Sequence, residues 1–262
     1  MTVTPSPPDT AGAALQVAGL TKIYGAGPAR VTALDAVDLT FPAGTFTAVM
    51  GPSGSGKSTL LHAMAGLDRP TAGTVTVDGH ELTGLSSTAL TRLRRTRIGL
   101  VFQDYNLLPT LTVLANVTLP MRLAGTRIDR ARCLALLDAV GMAGLAGRRP
   151  GELSGGQQQR AAVARALAPR PAVVIADEPT GALDRVAAAG VLDLLRAAVD
   201  DRGQTVVMVT HDPVAAARAD SVVFLADGRV AGALPDPTAA EVAARMIALE
   251  PVPAAARAGV RR

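Results

Sequence analysis

The sequence predicts an α/β fold in which helices wrap a parallel sheet. From about residue 156 onward, apolar β-rich runs alternate with helical patterns. Farther upstream, the apolar run TFTAVM leads through a glycine-rich segment into another helical pattern. Parallel neighbours need a crossover, usually a helix, so this alternation favours a parallel sheet. At 262 residues, the chain can form one large domain or a core with a subdomain.

The N-terminal part predicts antiparallel hairpins that lead into a buried strand. The runs LQVAGLTKIY and VTALDAVDLTF are β-rich and are separated by a Gly/Pro break at residues 25–28. TFTAVM then predicts the buried strand, and STLLHAMAGL predicts the helix after it. The run GTVTVDGHEL, which starts at Gly73, predicts a further β-turn-β unit.

The rest of the chain divides into a helical section and an alternating section. Residues 107–147 read as mostly helical, with LALLDAVGM as the clearest amphipathic piece. The elements predicted after it are a helix at 156–167, the strand PAVVIAD, a helix after Leu183, the strand TVVMVT, a short helix after Pro213 and the strand SVVFLAD. We expect a disordered leader at 1–13, and a C-terminal helix (TAAEVAARMIAL) with a mobile tail within 235–262.

Composition and charge exclude several classes of protein. A 48% hydrophobic and 18% charged content excludes disorder as the main state. The single cysteine, Cys133, excludes an intramolecular disulfide framework and fits a reducing compartment. The net charge of +4 comes from local arginine clusters, so no broad basic face and no nucleic-acid partner are expected. The clustered arginines are Arg92, Arg94, Arg95, Arg97, Arg257, Arg261 and Arg262.

No segment predicts membrane insertion. The uncharged stretch at residues 105–121 contains two prolines and reads as a loop and a short helix. The N-terminus lacks the basic start and apolar centre of a signal peptide. Any role at a membrane is therefore expected to depend on a partner.

The segment GPSGSGKS matches the phosphate-binding pattern GxxxxGK(S/T). In that pattern, backbone N–H groups and a helix N-terminus surround an anion, Lys57 brings a cation to the terminal phosphates, and the Ser58 hydroxyl can bind Mg²⁺. The sequence therefore predicts that the chain binds a nucleoside triphosphate. The residues of this predicted site are Gly51, Pro52, Ser53, Gly54, Ser55, Gly56, Lys57, Ser58 and Thr59.

Two carboxylates end the buried run VVIA, where doubly wound sheets hold their ligands. Asp177 is suited to the Mg²⁺ shell, and Glu178 to activating the water that attacks the γ-phosphate. The alternative is a capping pair that leads into Pro179.

A second anion site is predicted where LSGGQ precedes a helical pattern. Ser154 is an expected N-cap, and Gly155 and Gly156 expose backbone donors. One nucleotide scarcely needs two complete phosphate-binding sites from the same chain. We therefore expect a head-to-tail dimer in which the LSGGQ site of each copy covers the nucleotide bound to the phosphate loop of the other copy. An ordinary serine-capped helix is the alternative.

Six motifs in order resemble those of ATP-binding-cassette (ABC) ATPases: GPSGSGKS, VFQ at 101–103, LSGGQ, VVIADE, GALD at 181–184 and His211. The resemblance covers about residues 14–230 and is strongest to ATPase subunits of lipoprotein-release, macrolide-export, peptide-export and cell-division permeases. It implies a P-loop NTPase, RecA-like core with a parallel sheet, an antiparallel β subdomain and an inserted α-helical subdomain. We expect the ATPase domain at 14–234 and the helical subdomain at about 104–152.

The resemblance also implies roles for further residues. Tyr24 should stack on adenine, and Gln103 should join Ser58 at Mg²⁺. His211 should contact the γ-phosphate and orient the water next to Glu178. The residues implied to act across the dimer are Ser154, Gly156, Gln157 and, in linking the two sites, Asp184. Without the resemblance, Tyr24 would read as a strand-end tyrosine and Gln103 as a solvated loop residue.

The implied function is ATP hydrolysis that drives a separate integral-membrane permease, with this chain peripheral on the cytoplasmic face. A surface near residues 105–121 is the expected receiver of the permease. A DNA-repair or ribosome-associated ABC ATPase is the alternative. About 50 residues separate Gln103 from Ser154, which leaves no room for the coiled coil or zinc module of the DNA-repair type, and tandem cassettes would need a second set of motifs.

Overall fold

The structure is a computed structural model that describes residues 12–249. The strands are β1 (Ala13–Tyr24), β2 (Val31–Pro42), β3 (Phe46–Met50), β4 (Ala72–Val77), β5 (His80–Glu81), β6 (Ile98–Val101), β7 (Val173–Asp177), β8 (Thr205–Val209), β9 (Ser221–Ala226) and β10 (Arg229–Pro235). The helices are α1 (Lys57–Met64), α2 (Ser87–Arg97), α3 (Val113–Ala124), α4 (Arg130–Ala139), α5 (Gly155–Leu167), α6 (Arg185–Asp200), α7 (Pro213–Ala216) and α8 (Ala239–Leu249).

A six-stranded sheet, in the order β10-β9-β3-β8-β7-β6, forms the centre of the fold. Its strands are parallel except for the edge pair of β9 and β10. β3 and β8 consist entirely of buried residues, as expected for strands covered on both faces. The predicted parallel sheet is confirmed, and the carboxyl ends of β3, β7 and β8 meet at one edge.

A second sheet, in the order β2-β1-β4-β5, is antiparallel. β1 pairs with β2 and with β4, which confirms the predicted hairpins. Leu15, Val17 and Leu20 of β1 are buried with residues of α1 in one apolar cluster. This sheet therefore packs on the helix that follows the glycine-rich segment.

The helical section has an apolar core of its own. α3 and α4 pack around Val117, Cys133 and Leu137, all nearly inaccessible to solvent. α5 completes this cluster with Ala161 and Ala164. The core of the helical section thus extends beyond residue 152, the end expected for the subdomain, because α5 closes it.

Three elements were not predicted as separate units: α2, β6 and β10. α2 buries only Leu90, and its arginines cap neighbouring helices, with Arg94 donating to the Gly66 carbonyl and Arg95 to the Leu123 carbonyl. A helix with one buried side chain shows no apolar stripe in the sequence.

The termini require one correction. Ala13 begins β1, and the Gly12 carbonyl accepts a hydrogen bond from Ala43 N at 2.8 Å, so residues 12 and 13 belong to the fold and not to a leader. α8 packs Val242 into the main core and lies within the predicted C-terminal helix. The rest of the predicted leader and the predicted tail lie outside the described residues.

Candidate active site

The glycine-rich segment connects β3 to α1, and two of its positions have no space for a side chain. A Cβ atom on Gly51 would lie 2.1 Å from the Leu225 carbonyl oxygen. One on Gly56 would lie 2.4 Å from the Ala33 carbonyl oxygen, and Gly56 has φ near 100°. Since real Cβ atoms do not approach so closely, the loop keeps its course only with glycine at both positions.

Polar groups in this loop are arranged to meet an anion. Gly56, as N-cap of α1, offers no side-chain acceptor to the first N–H groups of the helix. The buried Ser55 Oγ has no hydrogen-bond partner among residues 12–249. Lys57 Nζ donates to the Gly51 and Pro52 carbonyls, at 2.8 Å each. Such a set of donors suits phosphate oxygens.

Two half-buried carboxylates lie near Lys57. Partial burial lowers the pKa of Lys57, and the neighbouring Glu178 and Asp177 carboxylates oppose that shift. Burial raises the pKa of Asp177, and Glu178 adds to the rise while His62 and Lys57 counteract it. The ionised carboxylate of Asp177 thus lacks full compensation from protein groups, and a cation would supply it.

Glu178 and His211 form a direct pair at the same edge of the sheet. His211 Nδ1 lies 2.8 Å from Glu178 Oε1, and the Thr210 hydroxyl donates to Glu178 Oε2 at 3.4 Å. Glu178 has φ near 44°, and its N–H donates to the Val209 carbonyl at 2.9 Å. Only 18% of the Glu178 side chain is exposed, against 73% for His211. The strained backbone of Glu178 is therefore held by β8, the strand that leads to His211.

Gln103 lies beside the loop that follows Glu178. A Cβ atom on Gly181 would lie 3.2 Å from Gln103 Nε2 and 3.5 Å from the Glu178 carbonyl oxygen. Gln103 is itself exposed, two residues after the end of β6. The structure thus places Gln103 beside the loop that follows Glu178, and its expected part in binding Mg²⁺ with Ser58 stays a prediction.

Tyr24 presents a partly exposed ring beside α1. Its hydroxyl donates to Asp68 Oδ2 at 2.7 Å, and Lys22 Nζ lies 4.9 Å from the ring centroid. Burial and the Asp68 hydrogen bond raise the pKa of Tyr24, and the neighbouring Thr59 side chain opposes that rise. The ring remains 42% exposed, which leaves it accessible to a flat ligand.

Ser154 is the N-cap of α5, as predicted. Its side chain accepts from Gln157 N at 3.3 Å, and Gln157 Oε1 accepts from Ser154 N at 3.0 Å. This reciprocal capping leaves the serine O–H, at an exposed helix start, without an acceptor among residues 12–249. Asp184 is the N-cap of α6, and its side chain accepts from the N–H groups of Val186 and Ala187.

The two glycines at the start of α5 are in close contact with other parts of the chain. A Cβ atom on Gly155 would lie 2.9 Å from the Tyr105 hydroxyl, and one on Gly156 would lie 2.9 Å from Ala187 Cβ. These neighbours belong to the loop after β6 and to α6. The start of α5 thus packs beside the segment that carries Asp184, and no phosphate-loop atom is among these contacts.

Sequence reasoning missed Lys22, Asp68 and Gln159. Lys22 could have been found, because it stands two residues before Tyr24 on the same face of β1. Nothing in the sequence indicates that Asp68, 44 residues later, meets Tyr24. Gln159 reads as one of three consecutive glutamines, and only the structure shows that it is fully buried.

The oxygen donors of Ser58, Gln103 and Asp177 are of the kind Mg²⁺ prefers. Within residues 12–249 there is no group of three or more His, Cys, Asp or Glu residues placed to hold a metal ion. That finding is compatible with Mg²⁺, which is usually held by one or two protein ligands together with substrate phosphates and water. The described part of the chain also has no helix long and apolar enough to cross a membrane.

The phosphate loop between β3 and α1, with two carboxylates at the end of β7, defines a P-loop nucleoside triphosphatase. Comparison with known proteins identifies the family: the ABC transporter family model matches residues 34–181. The chain therefore belongs to the ABC transporter family, as an ATP-binding and ATP-hydrolysing subunit.

Named relatives agree with this assignment. The lipoprotein-releasing system ATP-binding protein LolD of Bordetella pertussis is 46% identical over 225 residues, which cover 85% of this chain and 97% of the relative. LolD of Anaeromyxobacter dehalogenans is 51% identical over 219 residues, covering 82% and 92%. The macrolide export ATP-binding/permease protein MacB of Rhodopseudomonas palustris is 46% identical over 233 residues, covering 88% of this chain but 36% of MacB.

A solved structure shares the fold. The ATP-binding cassette MJ0796, in a dimeric post-hydrolysis state with ADP and Pi, superposes with a TM-score of 0.78 at 40% identity. The match covers 85% of this chain and 99% of that one. The two chains therefore share the fold over almost the whole length of the cassette.

Proposed function

We propose that two copies of this chain bind two ATP molecules in composite sites and that closure of the dimer drives an integral-membrane permease. One observation carries the proposal. Lys57 at the end of the phosphate loop lies near Glu178, which pairs with His211, whereas the capped start of α5 packs beside α6 and the loop after β6. Ser154 therefore remains available for a nucleotide bound to another copy. The dimeric state of the cassette MJ0796 supports the same arrangement.

We assign a separate role in ATP hydrolysis to each residue of the site. Glu178 accepts a proton from the attacking water, and His211 holds the Glu178 carboxylate in place and faces the γ-phosphate. Lys57 and the Ser154 helix start of the partner copy stabilise charge on the transferred phosphoryl group. Ser58, Gln103 and Asp177 would hold Mg²⁺, which would supply positive charge next to the triphosphate.

Motion follows from differential affinity. ATP would connect the phosphate loop of one copy with the Ser154 helix start of the other, and ADP lacks the γ-phosphate that Ser154 would contact. A ligand shifts a conformational equilibrium only by its difference in affinity for the two states. ATP binding therefore favours the closed dimer, and hydrolysis permits it to open.

The loop at residues 107–112 is the proposed contact for the permease. The buried Asn116 side chain fixes it by hydrogen bonds to Leu108 N and to the carbonyls of Leu108 and Leu111. The Leu108 side chain remains 44% exposed, only five residues from Gln103. Leu114 and Val117, in contrast, are buried in the helical section, so the contact is narrower than the whole of residues 105–121.

The names of the relatives suggest which permeases are involved. LolD belongs to a lipoprotein-releasing system and MacB to macrolide export. We therefore place this chain at the cytoplasmic face of a membrane, held there by a permease for export, release of a lipoprotein or peptide, or transmission of force.

Copurification tests the permease contact. The chain, coexpressed with the permease encoded next to it, should copurify with that permease, and Leu108→Asp should abolish the association. Leu134→Asp is a matched control, because Leu134 is a similarly exposed leucine on α4. Association that survives Leu108→Asp, or that is lost equally in both variants, would contradict the proposed contact.

A further inference from the structure

A buried glutamine on α5 joins the two loops that carry the catalytic candidates. Gln159 is fully buried, and its side-chain Nε2 donates to the Pro179 carbonyl at 2.7 Å and to the Phe102 carbonyl at 3.4 Å. Because both partners are acceptors, the amide must present its nitrogen to them. Pro179 directly follows Glu178, and Phe102 directly precedes Gln103.

The same helix carries Ser154 as its N-cap. At 1.5 Å per residue, Ser154 and Gln159 lie about 7.5 Å apart along one rigid axis. In the proposed dimer, Ser154 faces the nucleotide of the other copy, whereas Gln159 contacts the loops that serve the nucleotide of its own subunit. α5 therefore connects one composite site with the other.

The hydrogen bonds from Gln159 to the two loops are costly to break because Gln159 is buried. A shift of α5 that broke the two hydrogen bonds would leave a carbonyl and an amide unpaired away from water, which is costly. The Gln159 Oε1 atom is already buried without a partner among residues 12–249. Loss of the Nε2 hydrogen bonds would therefore leave the whole side-chain amide buried and unpaired. The loops before Gln103 and after Glu178 are thus expected to move with the helix.

We propose that Gln159 is a positioning residue that transmits engagement of ATP at Ser154 to the Gln103 and Glu178 loops of the same subunit. The two sites of the dimer then become cooperative. This inference rests on the composite site proposed above. It assigns no direct contact between Gln159 and ATP.

Three variants separate this role from a packing role. Gln159→Leu keeps a similar volume and removes the donor. Gln159→Glu provides a donor only when its carboxyl group is protonated. The matched control is Gln204→Leu, because Gln204 Nε2 also donates to a proline carbonyl, that of Pro171 at the opposite end of β7.

We expect Gln159→Leu to lower kcat by about 10- to 100-fold, as losses of supporting hydrogen bonds around a site commonly do. The KM for ATP should stay within about twofold, and the Hill coefficient for ATP should fall from above 1 towards 1. Gln204→Leu should leave kcat and the Hill coefficient unchanged. For Gln159→Glu, kcat relative to the parent protein should fall as pH rises, because burial raises the pKa of a carboxyl group and the neutral form donates.

Three outcomes would overturn the proposal. They are an unchanged kcat and Hill coefficient in Gln159→Leu, a loss confined to KM, or an equal loss in Gln204→Leu. If Gln159→Leu does not fold, a flat relative pH profile of Gln159→Glu overturns it. Failure of the composite site itself would be recognised by a separate measurement. The Glu178→Gln variant, which retains Gln159, would then fail to form a dimer when ATP is added.

Discussion

His211 Nδ1 lies 2.8 Å from Glu178 Oε1, so the imidazole and the carboxylate form one unit beside the phosphate loop. Both residues follow adjacent parallel strands, β7 and β8. The carboxyl ends of these strands are where a doubly wound sheet places its ligands. Because the pair is set by the sheet, its geometry should persist when either partner is changed conservatively.

Glu178→Gln should lower ATP hydrolysis by about 10²- to 10⁴-fold, the usual loss for a general base. ATP binding should persist, since the amide fills the same space. Phosphate release and equilibrium dialysis with labelled ATP measure the two properties. Glu81→Gln, at an exposed position on β5, serves as the control and should hydrolyse ATP like the parent. Normal turnover in Glu178→Gln would remove Glu178 from the mechanism.

His211→Ala should reduce kcat by about 100-fold, because misplacement of a reacting group by about 1 Å has that effect. Residues that act as one unit give non-additive losses. The double variant with Glu178→Gln should therefore lose little more than Glu178→Gln alone. His80→Ala is the control, since His80 is exposed on β5. Losses that multiply in the double variant would show that the two residues act independently.

Tyr24→Ala should weaken ATP binding by about 1–3 kcal/mol, the usual contribution of a base stacked on an aromatic ring. Tyr24→Phe keeps the ring and should bind nearly as tightly, although it loses the hydrogen bond to Asp68. Isothermal titration with ATP distinguishes the two. Equal affinities for the Ala and Phe variants would contradict stacking.

Asp177 makes stability depend on pH. Burial raises the pKa of the Asp177 carboxyl group in the folded state. The contribution of this group to folding stability is therefore complete below its unfolded-state pKa, and it is lost as pH rises through its folded-state pKa. Asp177→Asn should therefore be more stable than the parent at pH 7 without nucleotide, and this difference should shrink in acid. Urea unfolding at pH 7 and pH 4 tests this, with the exposed Asp138→Asn as control. A less stable Asp177→Asn at pH 7 would contradict it.

Much of the fold could be predicted from the sequence, because β3, β7 and β8 are continuous apolar runs and the phosphate loop follows β3. β6 could not be predicted, since it has only four residues and one of them is Gly99. Glycine is needed there because a Cβ atom would lie 2.6 Å from the Ala166 carbonyl oxygen. So short an apolar run does not distinguish a strand from a helix.

The site was predictable where residues follow one another along the chain, as from Gly51 to Ser58. It was not predictable where distant segments meet. Asp68 reaches Tyr24, and Gln159 reaches Pro179, only because the helices and sheets pack as they do. Neither contact has a local pattern in the sequence.

The dependence of ATPase rate on protein concentration tests the central claim most directly. If each site needs Ser154 from a second copy, the rate per chain should fall on dilution and become proportional to concentration once monomers dominate, with light scattering reporting the oligomeric state. A rate per chain that stays constant in fully monomeric solution would contradict the composite site.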